Sequence, residues 1–295
     1  MEASIFTQVL LPIAIALIMF GMGLSLTLGD FTRLGQAPMA ISAGLLGQIL
    51  LMPLVALGIC SLFELDAPLA VGLMILAACP GGTMSNVCSQ LAKANLALSV
   101  SLTAISTLIC VFSTPFIIQF AVVNFSGEQA VDFSLLETAI GLFVVTLIPV
   151  IIGISIRHYF TKWASSAEVY FRRFSLFFMI AMILALVIKE RDLLVSSFDQ
   201  VFFACLALNL ISIVMGLLLA KMFSLSFIDA VTLAIEVGIQ NATLAILIAI
   251  SFLNAPEFAV SSGIYGLAMY IAPLILVLWA KSKRKKQEIL TSKTN

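Results

Sequence analysis

Pro80-Gly81-Gly82-Thr83-Met84-Ser85-Asn86 falls inside an apolar run that extends from about residue 68 to 92. Proline lacks an amide hydrogen and clashes with the preceding helical turn, and glycine weakens a helix, so a helix through this stretch must come apart. The flanking residues are those of a bilayer-spanning helix. Backbone groups freed at that depth cannot be satisfied by lipid and must face protein or a polar cavity. Thr83, Ser85 and Asn86 supply such a lining directly after the break, which a simple proline kink would not need.

Composition extends the membrane reading to the whole chain. Of 295 residues, 62% are apolar and 10% charged, and the mean hydropathy is +1.17. A soluble domain carries about 25% charged residues. Apolar runs of roughly 20 residues, the length needed to cross a bilayer, recur throughout. Nine spans are predicted, at about 5–26, 37–62, 68–92, 96–122, 135–157, 172–189, 198–223, 228–253 and 257–280. The fold class expected is therefore an all-α polytopic membrane protein, a single transporter-like domain over 1–280 with a basic tail at 281–295.

Net charge is zero, but its distribution is lopsided. With the C-terminus placed inside, one side collects Arg33, Lys93, Arg157, Lys162, Arg172, Arg173, Lys221 and the tail residues Lys281, Lys283, Arg284, Lys285, Lys286 and Lys293. Only Lys189 and Arg191 fall on the other side, where loops carry Glu64, Asp66, Glu128 and Asp132. The positive-inside rule then sets the N-terminus outside and the C-terminus in the cytoplasm of a multi-pass inner-membrane protein. No basic residue precedes the first apolar run, so it is expected to remain a membrane helix rather than a cleaved leader.

A second span is also irregular. Glu236-Val237-Gly238-Ile239-Gln240-Asn241 puts a carboxylate deep in the membrane with no Lys, Arg or His expected at that depth. Such a group is costly and needs a partner, here a proton or an incoming cation. The interrupted spans are third and eighth, an odd separation that reverses their orientation. This pattern predicts an inverted repeat with its binding sites where two discontinuous helices cross. In the fourth span Ser99, Thr103 and Thr107 share one face, with Ser106 beside them, either lining the crossing or bonding back to their own helix. Gln48 is a lone amide in the second span.

The chemistry available is narrow. Cys60, Cys79, Cys88, Cys110 and Cys205 sit singly in apolar segments, and His158, the sole histidine, lies at a helix end. An oxygen-only donor set excludes transition metals and suits sodium, with proton coupling through Glu236 second. One deep carboxylate cannot form a catalytic dyad, and no metal-ligand or nucleophile–base motif is present, so an intramembrane enzyme is not expected.

Gly21-Met22-Gly23-Leu24-Ser25-Leu26 with Asp30-Phe31, Pro80-Gly81-Gly82-Thr83 with Ser85-Asn86, and Glu236-Val237-Gly238-Ile239-Gln240-Asn241 together resemble the bile acid:sodium symporter family, most of all its bacterial members. The resemblance implies a core domain holding two crossed discontinuous helices (about 68–122 and 198–280) and a panel domain (about 5–62 and 135–190). It implies no cofactor and two coupling sodium ions. One would be held by Ser85, Asn86, Ser99, Thr103 and Glu236. The other would be held by Gln48, Glu236, Gln240 and the carbonyls of Val237 and Ile239. Thr83 and Asn241 would face the substrate. The function implied is sodium-coupled import of an organic anion, bile-acid-like or a small carboxylate, by alternating access. An anion or metalloid exporter of the same superfamily is the other transport reading. The expected partners are the anion, sodium and the bilayer, with no nucleic acid and no obligatory protein partner. Two departures stand out: nine spans where bacterial members commonly have ten, and Ala268-Met269 where some members place a His-Asn pair.

Overall fold

The computed structural model describes residues 9–32, 35, 37–127 and 134–294, with side chains up to Lys283. Arg33, Glu128, Asp132 and the tail side chains Arg284, Lys285, Lys286 and Lys293 lie outside the described residues. No strand-forming segment occurs among those described, and six helices are long and apolar enough to cross a membrane. They are α2 (Pro38–Leu62), α4 (Leu96–Ser126), α5 (Leu135–Tyr159), α6 (Thr161–Lys189), α7 (Arg191–Met222) and α9 (Pro256–Lys283). Shorter apolar helices complete the bundle: α1 (Leu11–Ser25), α3a (Ala67–Ala78) and α8b (Ala242–Phe252). The last two are halves of broken helices, joined by α3b (Thr83–Leu91) and α8a (Phe227–Gly238).

Both breaks fall where the sequence places them. α3a ends at Ala78, and Cys79 turns extended ahead of Pro80. α8a ends at Gly238, with Ile239 extended. One boundary differs: α6 starts at Thr161 rather than near 172, so Arg172 and Arg173 sit well inside a helix and not at its end.

Helix boundaries repeat. Leu62 and Met222, Ala67 and Phe227, and Ala78 and Gly238 are equivalent ends or starts 160 positions apart. The turns between them match in detail. Glu64 (φ 49°) and Ser224 (φ 54°) both take left-handed backbone. Each is followed by a leucine closing the helix: Leu65 N–H donates to Cys60 O at 3.0 Å and Leu225 N–H to Ala220 O at 2.8 Å, the long-range bond of a Schellman cap. The sequence carries the same register, since Phe63, Leu65, Ala70, Val71, Leu73 and Ile75 recur as Phe223, Leu225, Ala230, Val231, Leu233 and Ile235.

Helices α1, α5 and α6 form one packed group. Backbone contact makes the α1–α5 crossing tight: a Cβ on Gly23 would lie 2.3 Å from Val150 O, and one on Gly153 2.5 Å from Phe20 O. Small residues of this kind let membrane helices approach closely. Helix α2 does not join them, which corrects the panel expected at 5–62. It packs mainly against α3a, α4, α7 and α8a. The reason lies in two glycines: a Cβ on Gly44 would lie 2.4 Å from Leu102 of α4, and one on Gly47 2.9 Å from Leu219 of α7. Asn95, at the α3b–α4 turn, then ties that end to α8a, its Nδ2 donating to Asp229 Oδ1 at 2.8 Å and its N–H to Thr232 Oγ1 at 2.9 Å.

Candidate ion and substrate site

The two breaks satisfy each other. Gly81 and Gln240 form an isolated antiparallel bridge. Around it, Asn241 N–H donates to Pro80 O at 3.0 Å and Gly82 N–H to Ile239 O at 3.3 Å. Polar backbone exposed by breaking two membrane helices is thus consumed where they cross, as a low-dielectric setting demands. Glycine leaves little room to spare at this approach. A Cβ on Gly81 would lie 2.8 Å from Glu236 Oε1, and one on Gly82 3.1 Å from Gln240 O.

Glu236 is the centre of the crossing and is 3% exposed. Ser99 Oγ donates to its Oε2 at 2.6 Å, and the Thr103 hydroxyl meets Oε1. Donors are outnumbered here. Ser99 Oγ is also 2.9 Å from Asn86 Oδ1, and Thr103 Oγ1 is 3.1 Å from Ser99 O. Each hydroxyl has one proton and two acceptors, while an ionised carboxylate offers roughly four lone-pair directions. Among the described residues Glu236 has no ion-pair partner; the pair present is Arg172–Glu168. A cation set among these oxygens would resolve the surplus of acceptors. Ser85, fully buried, donates to Gly82 O at 2.8 Å and holds the first turn of α3b beside the cluster.

The second expected ligand group is also brought together, but closed upon itself. Gln48 Nε2 donates to Gln240 Oε1 at 2.7 Å and to Cys79 O at 3.0 Å. Gln240 Nε2 donates to Val237 O at 2.8 Å and to Gln48 Oε1 at 3.3 Å. Ile239 O is engaged by Gly82. Gln48 projects from a π-helical stretch, Leu46–Leu51, a local widening that often marks a functional position.

Of the two residues expected to meet substrate, Asn241 is 7% exposed, and its Oδ1 caps α8b by accepting Leu244 N–H at 3.1 Å. Thr83 opens α3b and lines a cavity of about 340 Å³. The cavity lies between α1 (Ile18, Gly21, Met22, Ser25) and α6 on one side and α3b and α4 on the other. Its rim carries the exposed Gln90 and Leu96, at the turn joining α3b to α4. Met269 lines a smaller void with Thr83 and Asn241. In the α4 stripe, Thr107 and Ser106 bond back to Thr103 O at 2.7 and 3.2 Å, so only Ser99 and Thr103 serve the carboxylate.

Sequence reasoning missed the supports of the breaks. Asn209 and Tyr265, both fully buried, donate to Gly238 O at 2.8 and 2.9 Å. Thr114 Oγ1 donates to Ala78 O at 2.7 Å. Asn209 is an amide within the apolar stretch of its helix, the same kind of signal that marked Gln48.

Comparison with known proteins agrees with this geometry. The chain is 34% identical over 239 residues to an uncharacterized sodium-dependent transporter, YocS, of Bacillus subtilis, covering 80% of this chain and 73% of that protein. It is 30% identical to a probable sodium/metabolite cotransporter, BASS2, of rice chloroplasts, over 81% of this chain and 55% of the relative. The human ileal sodium/bile acid cotransporter is 30% identical over 56% of this chain and 47% of its own length. The sodium bile acid symporter family profile matches residues 12–197, a span that takes in the first broken helix with Ser85, Asn86, Ser99 and Thr103, and the chain belongs to that family.

Proposed function

We propose that this protein is a sodium-coupled importer of a small organic anion in the cytoplasmic membrane. The observation that carries the reading is Glu236: a buried carboxylate met by the Ser99 and Thr103 hydroxyls, which also face the Asn86 amide and Ser99 carbonyl oxygens, with no cationic side chain paired to it among the described residues. Family relatives named as sodium-dependent transporters support the choice of ion.

Two sodium ions would bind, one among Ser85, Asn86, Ser99, Thr103 and Glu236, the other at Gln48, Gln240, Glu236 and the Val237 and Ile239 carbonyls. For the second, the Gln48–Gln240 amide pair must exchange its mutual hydrogen bonds for the ion. Helices α1, α5 and α6 would act as one body and the rest as the other. With the N-terminus outside, the cavity rim at Gln90 and Leu96 faces the cytoplasm, so this conformation is inward-facing. Sodium binding fixes the crossing, whose half-helix N-termini at Thr83 and Asn241 then present a positive dipole end to the anion.

Two sodium ions and a monovalent anion carry one net positive charge inward. The membrane potential then supplies about 2.3 kcal/mol per 100 mV, and a tenfold sodium gradient about 1.4 kcal/mol per ion. Proton coupling is the second reading, favoured by the two hydroxyls that meet both carboxylate oxygens and would equally suit a protonated acid.

Thermal stabilisation of the purified protein tests the reading. A ligand at a hundred times its Kd stabilises the native state by about 2.7 kcal/mol. Sodium should raise the transition of the wild type well beyond potassium, and Glu236→Gln should lose most of that shift. Equal responses to sodium and potassium would remove sodium as the coupling ion; uptake driven by a pH gradient alone would then mark Glu236 as a proton carrier.

A further inference from the structure

Helix α6 turns a polar face toward the cavity. Glu168, Arg172 and Ser175 all line it, and their spacing of four and three residues puts them on one helical stripe. The stripe continues as the buried Met179, Met182, Ile183 and Leu186, so this face is packed rather than lipid-exposed. Its orientation is clamped by Phe171: a Cβ on Gly21 of α1 would lie 2.4 Å from Phe171 Cβ, and the Phe20 and Phe171 rings meet edge-on at 5.2 Å.

Arg172 Nη1 lies 3.3 Å from Glu168 Oε1, the side chains being 40% and 26% exposed. An exposed i,i+4 helix pair contributes only about 0.3–0.5 kcal/mol, so stability gives little reason for it. Among the described residues Arg172 is the one cationic side chain on the cavity wall. Its neighbour Arg173 is exposed and lies off that wall. Across the cavity stand Thr83, Asn86 and Gln90 of α3b. A guanidinium offers a planar fork of donors that matches a carboxylate in two parallel hydrogen bonds. Here it is held by a single, fairly long contact to another carboxylate.

We propose that Arg172 binds the carboxylate of the transported anion in the cavity, and that Glu168 holds the guanidinium in place until that carboxylate displaces it. The substrate class is then a small carboxylic acid anion of metabolite size, matched to about 340 Å³, rather than a neutral amide or alcohol. Glu168 competes for the same fork, so it weakens binding and speeds release. The inference rests on the transport reading of this cavity.

The test uses the full chain in detergent, in sodium and separately in potassium, with benzoate, cyclohexanecarboxylate, pyruvate and 2-oxoisovalerate as probes and the corresponding amides as controls. Thermal shift gives the affinities. At least one acid should stabilise the wild type while its amide does not. Arg172→Gln should weaken that acid at least tenfold and keep the shift given by sodium alone. Arg172→Lys should recover part of the loss, Glu168→Gln should tighten binding several-fold, and Arg173→Gln should match the wild type. Wild-type affinity in Arg172→Gln, equal binding of acid and amide, no response to any acid, or weaker binding in Glu168→Gln would each overturn the proposal. If Arg172→Gln fails to fold, Arg172→Lys decides: affinity equal to wild type removes the two-pronged contact. Acids that bind through Arg172 in a protein indifferent to sodium would sink the coupling reading and leave this one standing. A sodium shift with no acid response would do the reverse.

Discussion

Gly81 faces Glu236 so closely that a Cβ on it would lie 2.8 Å from the carboxylate oxygen Oε1. The first broken helix is thus pressed against the deep carboxylate of the second, and the backbone crossing and the proposed ion site share the same residues. Gly81→Ala should push the two apart or rotate Glu236 off Ser99 and Thr103. Overpacking of this kind costs about 1–3 kcal/mol, and the sodium-induced thermal shift should be lost with it. Gly58, whose added Cβ would meet nothing within 4 Å, supplies the control. Gly58→Ala should fold and respond to sodium as the wild type does. Sodium affinity unchanged in Gly81→Ala would separate the crossing from the ion site.

Ser99 and Thr103 give a second test, because their neighbour Thr107 shares the stripe but not the site. Ser99→Ala and Thr103→Val each remove one oxygen beside Glu236. Each should lower sodium affinity about tenfold, equivalent to about 1.4 kcal/mol. The double variant should lose less than the sum, since both act on one carboxylate. Thr107 donates back to Thr103 O at 2.7 Å, so Thr107→Val should leave sodium titration unchanged. Equal effects at all three positions would mean that the stripe acts on helix packing and not on an ion.

Much of this arrangement is legible in residues that break a rule. Pro80 and the glycines announce the first break, and Glu236, a carboxylate in an apolar run, marks the candidate site, because both are costly in lipid. The succession of apolar helices follows from hydropathy, which among the described residues is met by six long and three shorter ones. What stayed hidden is contact. Gly44 and Gly47 look like ordinary small residues, yet they dock α2 on α4 and α7 and move it out of the group formed by α1, α5 and α6. Thr107 and Ser99 are alike in sequence, and only tertiary geometry decides which hydroxyl turns to its own backbone. The recurrence of Phe63, Leu65, Ala70, Val71, Leu73 and Ile75 at 160 residues was present throughout, but scattered single identities gain meaning only when helix ends fall in the same register.

That register makes a last prediction. Ala78 and Gly238 end the first halves of the two broken helices at equivalent positions, and each terminal carbonyl is met by a side chain from a following helix. Thr114 of α4 donates to Ala78 O at 2.7 Å, and Tyr265 of α9 to Gly238 O at 2.9 Å. The second carbonyl has an additional donor, Asn209 Nδ2 at 2.8 Å. A buried acceptor that loses its partner costs about 1–3 kcal/mol. Thr114→Val keeps the shape of the side chain and removes the donor to Ala78 O, so it should lower the melting temperature clearly. Tyr265→Phe leaves Asn209 in place and should cost less. In Asn209→Leu the loss should be larger, because that amide also donates to Met269 O at 3.3 Å and accepts Ala272 N–H at 3.4 Å. Combining Tyr265→Phe with Asn209→Leu should exceed the sum of the two, since only then is Gly238 O left without a side-chain donor. Strict additivity in melting measurements would show that the two donors do not share the duty of closing α8a.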